Sequence, residues 1–481
     1  MITVVGMDGS PLSPRAEAAL AAATLVAGAR RHLAAVSALA PVHSRPAATA
    51  NGLPQARVVV LGELAPALDA LAAHDGDAVV LASGDPGFFG IVRALRERGL
   101  ACTVLPAVSS IAAAFARAGL PWDDAAVVSA HGRDPRPAIN VCRAHPKVAV
   151  LTGPGCGPAE IGAAVNGWER RLIVCEHLGG EEERLSECSP AEAARRTWED
   201  PNVVLVLAVA SAQAPPGGAG GAGAVGWALS EEEFDSRDAV LTKAEVRAVA
   251  LARVGPGPGL LVWDVGAGSG SVAVECARFG AAVIAVERDA LRCERVRANA
   301  ARHGADVRIV PGEAPGALGG LPDPDAVFVG GGGAAVIDAV AARHPARIVV
   351  ALAAVERAGP AHAALAAAGY AVGGALVQAA RLAPLPGDVH RLAATNPVFL
   401  LWGTSGRAPA READAESAAG AGPNAATASR RPGAETLPVR GTTPGPPPLP
   451  PALPDARLRH DQGRPPGPTA CESGRRCGGR P

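Results

Sequence analysis

The sequence predicts an α/β protein built from two doubly wound units, a flexible linker between them and a disordered tail after them. Three observations carry this: short β-rich runs alternate with Ala-rich helical stretches, a Gly-rich segment interrupts the alternation once, and a Pro/Gly-rich segment ends it. A chain of 481 residues with 48% hydrophobic content has enough apolar material for more than one large core. With only six Trp, one Tyr and seven Phe, that material is mostly Ala, Val and Leu. Lys occurs only at Lys147 and Lys243, so almost all positive charge is Arg, a bias that reflects genomic base composition rather than function.

The first unit covers 1–212. Its candidate strands are Ile2 to Val5, Arg57 to Leu61, Ala78 to Ala82, Cys102 to Leu105, Val148 to Leu151, Arg171 to Cys175 and Val203 to Ala208, read as mostly parallel. Four loops after these strands are rich in Gly, Asp, Ser and Pro: Gly6-Met7-Asp8-Gly9, Ser83-Gly84-Asp85-Pro86-Gly87, Pro106-Ala107-Val108-Ser109-Ser110 and Thr152-Gly153-Pro154-Gly155. Ligands of open α/β sheets bind at the carboxyl ends of strands, where these loops lie, although any one of them could be no more than a tight turn. Residues 213–228, within QAPPGGAGGAGAVG and its continuation, form the linker.

The second unit covers 229–405. It opens with an acidic, helical Ser230 to Asp238 and a helix from Thr242 to Arg253. Strands follow at Leu260 to Val265, Ala282 to Val286, Val307 to Val310, Asp325 to Val329, Arg347 to Leu352 and Val398 to Trp402. The tail, 406–481, holds 15 Pro and 11 Gly in 76 residues and cannot bury enough apolar surface to offset its ordering entropy.

Composition excludes several function classes. A formal net charge of -1 without any basic stretch interleaved with aromatics is a poor match to nucleic-acid binding. No run approaches the ~20 apolar residues that span a bilayer, and Met1 to Gly6 opens as a strand, so the expected location is the cytoplasm, away from membranes. Nine scattered cysteines lack a Cys-x-x-Cys pair; Cys471 and Cys477 have five residues between them and no second pair, and no metal site is expected. His131 and His177 read as satisfied turn or core histidines rather than bases or ligands.

The most informative motif is Asp264-x-Gly266-x-Gly268-x-Gly270 at the first strand-to-helix turn of the second unit. Glycines let the backbone approach a ligand where a side chain would collide. A dinucleotide fingerprint wants its third glycine one residue later, and an acid at Asp264 would repel pyrophosphate while tolerating the ammonium group of S-adenosylmethionine. Glu287, 17 residues after Gly270 at the end of the next strand, is placed to accept ribose hydroxyls, and Glu313 to reach the adenine. S-adenosylmethionine is therefore preferred over a nicotinamide cofactor.

The second unit resembles the class I methyltransferases joined to cobalamin biosynthesis, through Leu241-Thr242-Lys243-Ala244-Glu245-Val246-Arg247, Trp263 to Ser271 and Asp325-Ala326-Val327-Phe328-Val329-Gly330-Gly331. The first unit resembles the tetrapyrrole methylase family, class III methyltransferases, through Val4 to Gly9, Ser83 to Gly90, Val108 to Ala114, Ser129 to Arg133 and Glu176 to Gly180. In this order the pair resembles the bifunctional precorrin methyltransferases, which methylate carbons 5 and 15 and decarboxylate an acetate side chain. Met7 and Asp8 depart from the expected first loop, and Ala351 and Ala354 stand where relatives tend to carry Asn and Thr.

The resemblance implies two α/β subdomains in the first unit, a Rossmann-like second unit, a homo-oligomer and one S-adenosylmethionine per domain. In the first unit the donor would meet Gly6, Gly84, Asp85, Ser109 and Ser110; in the second, Asp264, Gly266, Gly268, Gly270, Glu287 and Glu313. A tetrapyrrole bearing many carboxylates would be met by His131, Arg133, Arg237, Lys243, Arg381 and Arg391, any one of which reads more simply as an ordinary solvated or helix-terminal side chain. Methyl transfer from a sulfonium needs positioning more than a protein nucleophile, consistent with the lack of a Ser/His/Asp or Cys/His arrangement. Competing readings are a nicotinamide oxidoreductase, a first unit that only binds tetrapyrrole, and a nucleic-acid methyltransferase.

Overall fold

The computed structural model describes residues 1–39, 56–62, 64–209, 226–235 and 242–406. The tail from 407 on, most of the linker, and Arg237 lie outside these residues. Strands β1 (Ile2–Met7), β2 (Leu25–Gly28), β3 (Arg57–Val60), β4 (Ala78–Ser83) and β5 (Cys102–Leu105) form one sheet in the order β3-β2-β4-β1-β5, parallel throughout. Sheets covered on both faces read as apolar runs, and here alternate residues feed two cores. Val5, Val26, Val79 and Leu81 pack on one face, and Val4, Leu25, Ala27 and Val80 on the other.

The second sheet departs from the parallel expectation. Its strands β6 (Ala126–Ser129), β7 (Lys147–Leu151), β8 (Arg170–Glu176), β9 (Arg184–Cys188) and β10 (Asn202–Ala208) run in the order β6-β7-β10-β8-β9, with only β6 and β7 parallel. Polar, largely exposed β9 makes an edge that carries no apolar run and so escapes a hydrophobicity reading.

In the C-terminal half β11 (Leu261–Val265), β12 (Ala282–Glu287), β13 (Arg308–Pro311), β14 (Ala326–Val329), β15 (Arg347–Leu352), β16 (Ala371–Val377) and β19 (Val398–Thr404) form a seven-stranded sheet, ordered β13-β12-β11-β14-β15-β19-β16. Only β19 runs against its neighbours β15 and β16; β17 (Ala380–Leu385) and β18 (Val389–Ala394) pair as a separate hairpin. The reversal of strand order at β11 and β14 opens a crevice at their carboxyl ends. The acidic stretch forms a single turn at Glu231–Glu233 rather than a long helix, and the next helix is Ala244–Val254.

Among the described residues both halves belong to one compact unit. Trp168, from the turn before β8, joins the core of the seven-stranded half, its ring flanked by Arg143 and Arg308, each guanidinium 4.7 Å from the centroid. Arg170 reaches Asp306 at 2.5 Å, and Asn140 donates to Asp325 and to the Gly259 carbonyl, each at 3.1 Å. No helix among the described residues is long and apolar enough to cross a membrane.

Candidate functional site

The glycine turn of the C-terminal half is shaped from beneath. Gly266, Gly268 and Gly270 have φ of +76°, +61° and +76°, backbone that L side chains rarely adopt. A Cβ on Gly270 would lie 2.8 Å from Val296 Cγ1, so the helix Ala290–Arg302 packs directly against the turn. From that helix, buried Asn299 donates to the Ser269 carbonyl at 2.8 Å. Glu287, at the end of β12, accepts from Gly268 N–H at 2.8 Å through Oε2 and from Asp289 N–H at 3.1 Å through Oε1. A carboxylate has about four lone-pair sites, so Glu287 keeps acceptor capacity while being fixed in place.

Above this turn lies a cavity of about 540 Å³. Gly266, Glu287, Gly312, Glu313 and the run Gly330 to Gly333 supply its polar and backbone rim, and Val336, Ile337 and Leu352 an apolar wall. The size suits a small-molecule ligand, typically ~300 to 1,000 Å³. Glu313 stands at the mouth, largely exposed and paired with Arg288 at 2.8 Å.

Asp264 is placed differently from the expectation that it faces the donor. It does not line the cavity; it is 1% exposed, and its Oδ2 accepts from Ala273 N–H at 2.9 Å in the helix below. Burial, with the neighbouring Glu287 charge, pushes its carboxyl up to about 7, and among the described residues Oδ1 has no hydrogen-bond partner. Gly268 and Gly270 likewise shape the turn from outside the lining. Sequence reasoning missed Asn299, Val296 and Gly332; the run of four glycines after β14 was the available signal for the last.

In the N-terminal half three of the four Gly-rich loops converge, those at 6–9, 83–87 and 106–110, while the loop at 152–155 packs on His131 instead. A Cβ on Gly6 would meet the Gly84 carbonyl oxygen at 2.2 Å and Ala107 N at 2.5 Å. Gly84, at φ +55°, donates to the Met7 carbonyl at 2.7 Å. Asp85 accepts from Gly87 N–H at 2.8 Å, and Ser109 Oγ caps the helix Ser110–Ala118 by accepting from Ala112 N–H at 3.1 Å. Burial raises the Asp8 carboxyl, but the N–H groups of Ser10 and Val108 outweigh it and hold Asp8 below the usual range. Loops of the second sheet close on the same place: a Cβ on Gly9 would lie 2.3 Å from the Gly179 carbonyl oxygen, and Arg133 lies over the Phe89 ring at 5.8 Å.

The candidate tetrapyrrole ligands are scattered. His131 is exposed and backs onto Gly153; Lys243 is an exposed helix cap, and Arg391 lies on the exposed face of β18. Arg381 is committed elsewhere, donating to both Glu231 oxygens at 2.6 and 2.8 Å and to both Glu245 oxygens at 2.8 and 2.6 Å. None of Lys243, Arg381 and Arg391 lines the cavity. His177, Glu182 and Glu199 gather within 4.8 Å, with His177 Nε2 3.0 Å from Glu199, a grouping that a reading of separate loops did not foresee.

Residues 2–194 match the model of the tetrapyrrole (corrin/porphyrin) methylases, and 232–405 that of the precorrin methyltransferase domain. A Sinorhizobium protein named precorrin-6Y C(5,15)-methyltransferase [decarboxylating] is 35% identical over 350 residues, 69% of this chain and 78% of that one. A Salmonella typhimurium cobalt-precorrin-7 C(5)-methyltransferase is 32% identical over 216 residues, 43% of this chain and 98% of that one. A Pyrobaculum calidifontis protein, the probable cobalt-precorrin-6B C(15)-methyltransferase (decarboxylating), is 40% identical over 132 residues, 26% of this chain and 68% of that one. Enzymes of this kind use S-adenosylmethionine. The two-sheet half followed by the seven-stranded half, with these matches along each, establishes that the chain belongs to the precorrin-6Y C(5,15)-methyltransferase (decarboxylating) family.

Proposed function

We propose that the chain methylates carbons 5 and 15 of precorrin-6Y and removes one acetate carboxyl as carbon dioxide, with one S-adenosylmethionine site in each half. The catalytic domains are 1–212 and 229–405, with 213–228 as linker and 406–481 as tail. The observation that carries the reading is the cavity bounded by Gly266 and Glu287 at the carboxyl ends of β11 and β12, beside the reversal of strand order between β11 and β14. Bound there, S-adenosylmethionine supplies a methyl group on a sulfonium that already carries its leaving group.

The protein's part is positioning. Left-handed Gly266, which lines the cavity, would admit the donor against the main chain, and Glu287, held by the N–H groups of Gly268 and Asp289, would accept ribose hydroxyls. Val336, Ile337 and Leu352, the apolar wall of the cavity, would cover the base and exclude water. Holding a nucleophilic ring carbon at roughly 3 to 3.5 Å from the methyl in this way is worth ~7 to 11 kcal/mol. In the first half the converging loops at Gly6, Gly84, Asp85, Ser109 and Ser110 play the same part, with Arg133 and His131 toward the tetrapyrrole.

The C(5) enzyme is matched over 216 residues, more than the seven-stranded half contains, and the C(15) enzyme over 132, within its length. The longer match supports C5 chemistry in the first half, which leaves C15 methylation with decarboxylation to the second. A cytoplasmic homo-oligomer that binds no nucleic acid belongs to the same proposal. Mass spectrometry of precorrin-6Y incubated with the chain and S-adenosylmethionine tests it: two methyl groups gained and one carbon dioxide lost are expected. An unchanged tetrapyrrole, or calorimetry in which NAD binds and S-adenosylhomocysteine does not, overturns it.

A further inference from the structure

The helix Arg30–Leu39 starts at the carboxyl end of β2 with Arg30, Arg31 and His32 in its first turn and no acid there. The helix dipole favours acids at that end, so the charges of Arg30 and Arg31 oppose local stability. Arg31 is also oriented. Its Nη2 donates to Ser83 Oγ at 2.9 Å and its Nε to His32 Nε2 at 3.3 Å, while the Ser83 hydroxyl and the same imidazole nitrogen are 3.2 Å apart. Because Nε2 accepts, the ring proton is on Nδ1 and the imidazole is neutral. Burial, then the Arg31 charge, holds His32 below the ordinary histidine range.

Both acceptors of Arg31 are therefore uncharged, and among the described residues no carboxylate pairs with it. Asp8 and Asp85, on the adjoining loops, accept backbone N–H groups, Asp8 from Ser10 and Val108 and Asp85 from Gly87, and neither pairs with Arg31. An exposed guanidinium gains little from being fixed in one geometry by neutral partners, since ordering that side chain costs up to ~2 kcal/mol. The location supplies the reason. Ser83 ends β4, lies in register with Met7 of β1 and precedes Gly84, so the exposed edge of Arg31 stands at the rim of the converging loops.

We propose that Arg31, oriented by Ser83 and His32, receives a carboxylate of the ligand bound in the N-terminal half. The inference rests on the methyltransferase reading of that half and adds a binding residue to it. Two carboxylates have this chemistry, the amino-acid end of the methyl donor and an acetate or propionate arm of the tetrapyrrole. A charge-assisted fork of this kind corresponds to roughly ten- to hundredfold in affinity.

The test uses the full chain and its variants Arg31→Gln, Arg31→Lys and Ser83→Ala, with S-adenosylhomocysteine titrated by calorimetry and the precorrin-6Y concentration dependence of each methyl addition followed by mass spectrometry. R31Q is expected to weaken one of the two by about tenfold or more, with R31K and S83A intermediate and thermal unfolding unchanged. Weaker S-adenosylhomocysteine binding at one of two sites assigns the donor's carboxylate; a raised KM for one methyl addition with that binding intact assigns the tetrapyrrole arm. If wild type adds both methyl groups and R31Q and R31K match it in both measurements, Arg31 is only a solvated cation and the proposal fails. If wild type neither binds S-adenosylhomocysteine nor transfers methyl groups, the broader reading fails instead.

Discussion

Replacing Asp264 by Asn should change how stability depends on pH. The folded carboxyl is raised to about 7 by burial beside Glu287, whereas in the unfolded chain it titrates near ~3.9. A raised folded value means the folded state holds a proton that the unfolded state releases. That contribution is complete below about pH 3.9 and is lost as pH climbs through about 7. From about pH 5 to about 7 the loss spans ~2 pH units at ~1.36 kcal/mol each, roughly 3 kcal/mol in total, and little more is lost by about pH 8.5. The Asn variant keeps an acceptor for Ala273 N–H but has nothing to titrate. It also buries an amide where Oδ1 had no partner, an offset of ~1 to 3 kcal/mol that does not vary with pH. Urea unfolding of both proteins at about pH 5 and about pH 8.5 should show the variant gaining roughly 3 kcal/mol on wild type across the interval. Glu287→Gln in the wild-type background should shrink the interval, because it removes the charge that helps raise Asp264. A gap between Asn and Asp that is the same at both pH values would refute the buried, proton-bearing carboxyl.

Gly270→Ala places a Cβ 2.8 Å from Val296 Cγ1 at φ +76°, and calorimetry should find S-adenosylhomocysteine bound at least ~10-fold more weakly at one of the two proposed sites. Gly6→Ala, whose Cβ would lie 2.2 Å from the Gly84 carbonyl oxygen, should abolish one methyl addition, and Glu287→Ala the other, as read by product mass. Arg247 is fully buried against Glu275 at 2.5 Å, and Glu275 also accepts from Ala228 and Leu229 N–H. Glu275→Gln leaves that guanidinium uncompensated and should cost ~3 to 5 kcal/mol in unfolding free energy. Trp168→Ala should cost ~3 to 5 kcal/mol and should separate the unfolding of the two halves into distinct calorimetric transitions.

The central strands were legible because they bury both faces and so read as uninterrupted apolar runs, as Ala282 to Val286 and Val203 to Ala208 do. Where one face is open the pattern fails. β16 carries two glycines, β17 a proline, and β18 exposes His390 and Arg391, so none of the three reads as a strand. Short β2 and β6 are lost for another reason, since an Ala-rich background flattens the contrast between strand and helix around them. The glycine turn and Glu287 were legible because their chemistry is local: backbone conformation and one carboxylate at the end of the adjacent strand.

Charge pairing was not legible, and this decides how the arginines should be read. Arg381 looked like a carboxylate receptor by residue type, but Glu231 and Glu245, more than a hundred positions away, occupy its donors and are held below the usual range by it, Glu231 at about 2. Arg143, in contrast, is buried against Trp168 and is lowered to about 10 by burial and by Arg308 across the ring. Both are structural cations, and neither can be told from a ligand-binding one until its partners are known. The same criterion favours Arg31, whose partners Ser83 and His32 orient the charge without neutralising it. The Trp168 contact also changes what the linker must do. If the two halves pack through a shared core, their crevices keep a set separation, and lengthening the linker by ten residues should leave the rate of the second methyl addition unchanged. Tethered, independently moving halves would instead slow as the effective concentration falls with linker length.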